Sequence, residues 1–553
     1  MVLSATLAFR VLLGYVAVSP RAAVATAHPL ASEAAAEVLR AGGNAADAAV
    51  AAAFALSVVE PESSGIGGGG VALVYVAREG KVHAIDFRET APGAARPDMF
   101  LRGGKPDPEL SRCGGLSVGV PGAVKGYAEI AARFGRKPLS RLVEPAARIA
   151  EAGLEVGLHY RDAAAAALRC LREDAAARAL YLPAGAEARP PVPGWRLVQK
   201  DLARTLRRIG RDPESFYRGS LALQIAAAVR ARGGNLEVSD LRAYRTRERE
   251  VLWGSYRDHK VAAFPPPSAG GAILLGLLHV LELEPREGYR AERLLHVFVE
   301  AEKRLFARRA RALGDPDFAP ASLGEARAMA SSEWARAVHD SIGERATPSE
   351  QVVPPPEPGH TSHLSVVDEE GNAVSLTTTV NLPFGSGVAV PGTGILLNDE
   401  MDDFDAAPGV PNAFGLQGGG ANLPEPGKRP LSSMSPTLVF APGGGLLLAV
   451  GSPGGSTIPS TVAWVILHLL DDGMALDQAL GTPRIHHQWR PDAVVVEPFG
   501  LDDCTRKALE ARGHALAVAP RPFGNPQAVL VDPASGWREA ASEPRYEGRP
   551  AVP

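Results

Sequence analysis

The chain has 553 residues, 46% of them hydrophobic, and carries 62 acidic against 58 basic side chains for a formal net charge of -4. That length can bury a large core and sets a prior of about two to four domains, while the near-balance of charge excludes a basic field for collecting nucleic acid or anionic lipid. A small-molecule or peptide partner fits better, and no apolar run reaches the roughly 18 to 20 residues of a membrane span.

Residues 1–23, MVLSATLAFRVLLGYVAVSPRAA, read either as a degenerate signal peptide or as an N-terminal strand. The two readings imply a periplasmic or secreted protein and a cytoplasmic one, respectively, and the sequence leaves both open. From Pro29 to Val59 the alanine-rich pattern predicts two packed helices broken at Gly42-Gly43, with Asn44 as a cap. Gly65, Gly67 and Gly70 in SSGIGGGGVALVYV formally satisfy GxGxxG, but a nucleotide cradle needs a strand before it and a helix after. Here a helix precedes and a strand from Val71 to Val76 follows, so the glycines read as a tight helix-to-strand passage.

A mostly helical middle runs from Gly122 to Arg247, and a basic amphipathic helix is expected over roughly Ala291 to Leu313. Ser322 to Gly359 reads as polar linker or exposed loop ending in VVPPPEPG, which cannot join a central strand. Cys113, Cys170 and Cys504 are odd in number and widely spaced, which argues against a disulfide framework or a zinc knot and for buried or idle thiols. His486 and His487 in RIHHQW are adjacent and point apart, so they are expected to be structural, and no metal is expected.

LSVVD and NAVSLTTTV are the arms of a hairpin, with EEG as a three-residue loop whose Gly371 takes the left-handed conformation. Pairing Asp368 with Asn372 and counting outward sets Thr379 opposite Thr361, with Asn381 on the same face. A hydroxyl needs a base to become a nucleophile, and an N-terminal threonine carries one in its α-amine, whose pKa is near 8. Thr361 is internal, so that chemistry requires self-cleavage between His360 and Thr361 at the end of the linker. By residue type alone, a plain β-branched strand threonine is the better reading of Thr361.

GHTSHLSVVDEEGNAVSLTTTVN, GILLNDEMDDF, KRPLSSMSPTLV and GSPGGSTI, with AVATAHPLASEAAAEVLRAGGNAADAAVAAAFAL and IDFRETAP upstream, together resemble the γ-glutamyltransferases of the N-terminal-nucleophile hydrolases. The resemblance runs from about Ala23 to about Trp489. It implies an α+β fold, a four-layer αββα sandwich, built as one composite domain from a large subunit, residues 1–360, and a small subunit, residues 361–553, that form a heterodimer after cleavage. By matching motifs Thr361 is the nucleophile, Thr379 its hydroxyl partner, and Gly454 and Gly455 the oxyanion donors. Arg88, Ser432 and Ser433 would hold the substrate α-carboxylate, and Asn381, Glu400 and Asp403 the α-amino end. The implied reaction passes the γ-glutamyl group of glutathione or a related compound through a threonine ester to water or to an amino-acid or dipeptide acceptor, without a cofactor.

Two features depart from the family pattern. Phe414 lies in the lid segment PGVPNAFGLQGGGANLPEPGKRP where many members carry tyrosine, which predicts a looser gate and a relatively hydrolytic enzyme. Arg308 in FARRARALGDPDF stands where the family has aspartate, which questions a local helix contact. The rival readings are a related amide hydrolase such as a cephalosporin acylase, which replaces the amino-binding group, and an inactive γ-glutamyl-binding homologue.

Overall fold

A computed structural model describes residues 14–185, 187–286, 288–349 and 361–553. Two antiparallel sheets organise a mixed α/β fold. Their strands, in chain order, are β1 (Val16–Ser19), β2 (Ala23–Thr26), β3 (Gly69–Val76), β4 (Lys81–Asp86), β5 (Arg247–Arg249), β6 (Leu252–Tyr256), β7 (His259–Ala263), β8 (Thr361–Val367), β9 (Ala373–Thr379), β10 (Thr437–Phe440), β11 (Leu446–Gly451), β12 (Gln527–Val531) and β13 (Arg538–Ser542). One sheet has the order β2-β8-β9-β3-β4-β5, and the other β1-β13-β12-β11-β10-β7-β6.

Period-two alternation decides what each strand faces. In β3, Val71, Leu73 and Tyr75 pack with Ala262, Leu438, Ala449 and Val529 of the second sheet, while Ala72 and Val74 turn to the helical side. The helix Ala45–Val59 covers that side and is buried along its whole length, its run of alanines allowing close approach to β8 and β9. Asn44 and Asp47 close its N-terminus as a capping box, as expected of Asn44. The helices Gly270–Leu281, Glu292–Ala312 and Ile458–Leu470 pack on the outer face of the second sheet.

The β8–β9 hairpin has the register counted from the sequence, Thr361 opposite Thr379. Gly371 has φ 82°, and Asp368 N–H donates to Asn372 O at 3.0 Å. Asp368 also accepts the Ala45 N–H at 2.9 Å, tying the turn to the start of the buried helix. Thr361, His363, Ser365 and Val367 share the inter-sheet face. His363 Nδ1 lies 2.9 Å from Thr377 Oγ1, and the Ser365 and Ser375 hydroxyls donate across to Gln527 O and Val450 O, at 3.1 and 3.0 Å. These polar pins satisfy buried groups and fix one sheet on the other.

The glycine run is a close-approach device, as its context predicted: a Cβ on Gly68 would lie 2.0 Å from Thr379 O, so only glycine lets β3 pass the end of β9.

Three expectations need correction or qualification. Residues 321–340 are not linker: the helices Ala321–Met329 and Ser332–Asp340 form there, the second capped by the Ser331 side chain on Trp334 N at 3.2 Å. Their apolar positions, Ala326, Met329, Ala335 and Val338, join the outer core, a sparse pattern that the surrounding polar residues obscure in the sequence. Cys113 and Cys170 are not idle thiols but a disulfide, with Cα atoms 5.8 Å apart; a separation of 57 residues leaves no spacing signature. Cys504 is free and exposed. The N-terminal reading lies mostly outside the described residues, although Val16–Ser19 forms strand β1 against β13. Among the described residues no helix is long and apolar enough to cross a membrane.

Candidate active site

At the end of the β8–β9 pair, Thr361 and Thr379 bring their Oγ1 atoms to 3.3 Å. Thr379 Oγ1 also accepts the Asn381 N–H at 2.8 Å, fixing the turn in which Asn381 has φ 80°. Asparagine is among the residues that tolerate this left-handed region. Its side chain donates to Asp399 O at 3.2 Å, which delivers the adjoining short turn Glu400–Asp403 to the same place.

Arg88 comes from the other side of the sheet, two residues beyond β4, its N–H held by Asp86 Oδ1 at 3.0 Å. The guanidinium is 1% exposed, donates through Nε to Pro430 O at 3.2 Å, and is paired through its two Nη atoms with Glu400 and Asp403. Burial alone would lower its pKa, but the Glu400 and Asp403 carboxylates, with buried Glu89 at 3.9 Å, outweigh that and hold it above its ordinary value. Burial pushes Glu400 and Asp403 upward against the opposing pull of Arg88. Ser432 and Ser433 follow Pro430 into the site, and the buried Ser433 hydroxyl has no hydrogen-bond partner among the described residues.

Gly454 and Gly455 close the arrangement at the entry to the helix Ile458–Leu470, with φ values of 137° and 57°. A Cβ on Gly455 would lie 2.8 Å from the Phe414 ring, so that ring rests directly on this glycine. The small cavity so formed, about 20 Å³, is lined by Thr361, Thr379, Asn381, Arg88, Glu400, Asp403, Ser432, Ser433, Gly455 and Phe414. Every site residue singled out from the sequence is therefore here except Gly454, which faces an adjoining cavity, and His360, which lies outside the described residues.

Comparison with known proteins places this arrangement. The family model described as Gamma-glutamyltranspeptidase matches residues 31–552. The chain belongs to the gamma-glutamyltranspeptidase family. It is 40% identical over 536 residues to a glutathione hydrolase proenzyme of Escherichia coli (strain K12), covering 94% of this chain and 90% of that protein. A glutathione hydrolase proenzyme of Pseudomonas sp. (strain A14) is also 40% identical, over 534 residues, with 95% and 91% covered. Among solved structures, a cephalosporin acylase from Bacillus halodurans has a TM-score of 0.85 at 31% identity, covering 97% of this chain and 96% of that one.

Two residues of this gamma-glutamyltranspeptidase family member escaped the sequence reading. Arg309 lines the cavity at 4% exposure, its pKa lowered by burial despite Asp403 and Asp405 nearby. Nothing in FARRARA distinguishes Arg309 from its neighbour in the sequence; Arg308 itself turns away and bonds Glu325 at 2.6 Å. Gln488 donates to Phe414 O at 2.8 Å and accepts from Ser456 Oγ at 2.6 Å, linking the Phe414 loop to the glycine turn. It sits beside the histidine pair, where His486 Nδ1 lies 2.6 Å from Ser460 Oγ and His487 Nε2 lies 3.3 Å from Asp492.

Proposed function

We propose that this protein is an autocatalytically processed γ-glutamyltransferase and glutathione hydrolase with Thr361 as its N-terminal nucleophile, on an αββα sandwich of the N-terminal-nucleophile type. The observation that carries this is the 3.3 Å Thr361–Thr379 hydroxyl contact in one cavity with the buried Arg88–Glu400–Asp403 cluster. A γ-glutamyl group ends in a carboxylate and an ammonium on one carbon, and a buried site must match both charges. The ion pairs of Arg88 with Glu400 and Asp403 open to receive that pair. Arg88, Ser432 and Ser433 take the carboxylate; Asp403, Glu400 and Asn381 take the ammonium.

Cleavage between His360 and Thr361 yields a large subunit, 1–360, and a small subunit, 361–553, which stay together as a heterodimer. In turnover the Thr361 α-amine takes the hydroxyl proton as Oγ1 attacks the γ-carbonyl carbon. Gly454 and Gly455 N–H groups stabilise the oxyanion, a device worth about 3 to 4 kcal/mol per donor. Collapse breaks the C–N bond and releases the protonated amine. Water, or an acceptor amine, then opens the ester and returns the proton to Thr361. No step uses a metal or cofactor.

Intact mass and N-terminal sequencing of the purified protein, with Thr361→Ala alongside, test the processing. A new N-terminus at Thr361, absent from the variant, is expected; an uncleaved wild type that still hydrolyses γ-glutamyl-p-nitroanilide refutes the nucleophile assignment. The likeness to a cephalosporin acylase supports a second reading, amide hydrolysis of other acyl groups. A glutaryl amide, which lacks only the α-ammonium, separates the two: faster turnover of the glutaryl than of the γ-glutamyl amide favours the acylase.

A further inference from the structure

Arg309 lines the cavity, yet no step above employs it. It comes from the last turn of the helix Glu292–Ala312, a turn that also receives the Gly419 N–H on Ala310 O at 2.6 Å. The side chain is nine-tenths or more buried, its Nε has no hydrogen-bond partner, and it forms no ion pair among the described residues. A guanidinium taken out of water without a partner is strongly disfavoured, so one held this way has its match in another state of the site.

Asp403 supplies that match. One of its oxygens is paired with Arg88 and the other accepts from Asn412 Nδ2 at 3.4 Å. Arg88 and Arg309 both favour its ionised form, while Asp402 opposes it. The cavity of about 20 Å³ has room for about one water, so no γ-glutamyl group enters until the pairs of Arg88 with Glu400 and Asp403 separate. A substrate carboxylate that takes Arg88 displaces Asp403, and the displaced carboxylate needs another cation. The substrate ammonium is one; Arg309 is the one that the protein itself provides.

We propose that Arg309 sets how strictly the cavity demands an α-ammonium: it takes over Asp403 when a carboxylate binds Arg88, so that acyl groups with the carboxylate but without the ammonium, glutaryl among them, are also bound. The inference rests on the assignment of Arg88 and Asp403 to the two ends of the acyl group made above. Without Arg309, a bound glutaryl group leaves Asp403 buried with no cation, whereas a γ-glutamyl group still pairs it through the ammonium. Arg309 acts through Asp403 and is therefore a positioning residue. Asp405, whose Oδ2 has no hydrogen-bond partner among the described residues, is the other carboxylate that Arg309 influences. A role confined to Asp405 would not alter the choice between the two acyl groups.

Calorimetric titration of the processed protein with glutamate and with glutarate, which differ only by the ammonium, tests this without relying on turnover. Wild type should bind both, and Arg309→Gln should weaken glutarate about tenfold more than glutamate. Glutamate binding shows that the variant is folded. Arg309→Met, which removes the charge without burying a new polar group, should match it, and Arg309→Lys should restore most of the wild-type ratio. In an Asp403→Asn background, Arg309→Gln should leave the ratio unchanged. Absence of saturable glutarate binding by wild type, equal weakening of both ligands, or a ratio change that persists in Asp403→Asn overturns the proposal. Hydrolysis of γ-glutamyl-p-nitroanilide is followed separately. The expected shifts in a protein without turnover overturn the catalytic reading and leave the role of Arg309 standing; turnover with an unchanged ratio does the reverse.

Discussion

Thr379→Val removes one oxygen and keeps the side-chain shape. That oxygen touches Thr361 Oγ1 at 3.3 Å and accepts the Asn381 N–H at 2.8 Å. The first contact is long, so its loss accounts for about 0.5 to 1.5 kcal/mol. Asn381 is only 3% exposed, and its N–H left without an acceptor adds about 1 to 3 kcal/mol. If both fall on the arrangement of the reacting groups, turnover drops roughly tenfold to a thousandfold. Thr379→Ser keeps the oxygen and should stay within about threefold of wild type. A mass-spectrometric time course of processing, with hydrolysis of γ-glutamyl-p-nitroanilide by the processed protein, measures both effects. A valine variant within twofold of wild type, or a serine variant as impaired as the valine one, refutes the role given to this hydroxyl.

Gly455→Ala places a methyl against the Phe414 ring at a residue with φ 57°, so turnover should fall about a hundredfold, whereas Gly443→Ala, with nothing within 4 Å, should leave it unchanged. Phe414→Tyr should raise the ratio of transfer to hydrolysis, measured by product analysis with a dipeptide acceptor; an unchanged high ratio in both proteins removes the link between the missing hydroxyl and water entry. Burial holds His363 at about 3, so the unfolded chain takes up a proton that the folded one refuses, and stability falls as pH drops below 6.5 and continues to fall to about 3. Between pH 7 and 5 this single group costs about 2 kcal/mol. His363→Asn should remove that share of the pH dependence of the denaturation midpoint, leaving the shares of His28, His159 and His514, which burial also holds low, and an identical pH dependence in both proteins sinks the assignment.

What could be read in advance was whatever local chemistry determines. The hairpin register followed from a three-residue loop and one glycine, because a period of two propagates any register from the turn to Thr361 and Thr379. The ten residues brought to the cavity were found by motif, since each lies in a short distinctive stretch. What depended on distant partners was hidden. Cys113 and Cys170 are joined by folding, Arg309 matters only because its helix lies beside Asp403, and Gln488 only because the Phe414 loop reaches it. The direct pairing of Arg88 with both carboxylates is likewise invisible in the sequence, because the motifs assign these residues to opposite ends of a substrate.

Strands β8 and β9 are inserted between β2 and β3, and β10 to β13 between β1 and β7, so neither sheet belongs to one side of residue 360. Made separately, the two segments would each present open strand edges with apolar faces, the condition for aggregation rather than assembly. Under the processing proposed above, synthesis as one polypeptide lets the two segments pair their strands before any cut is made. Attempts to reconstitute the protein from independently expressed halves should yield inclusion bodies, and variants that fail to cleave should still fold.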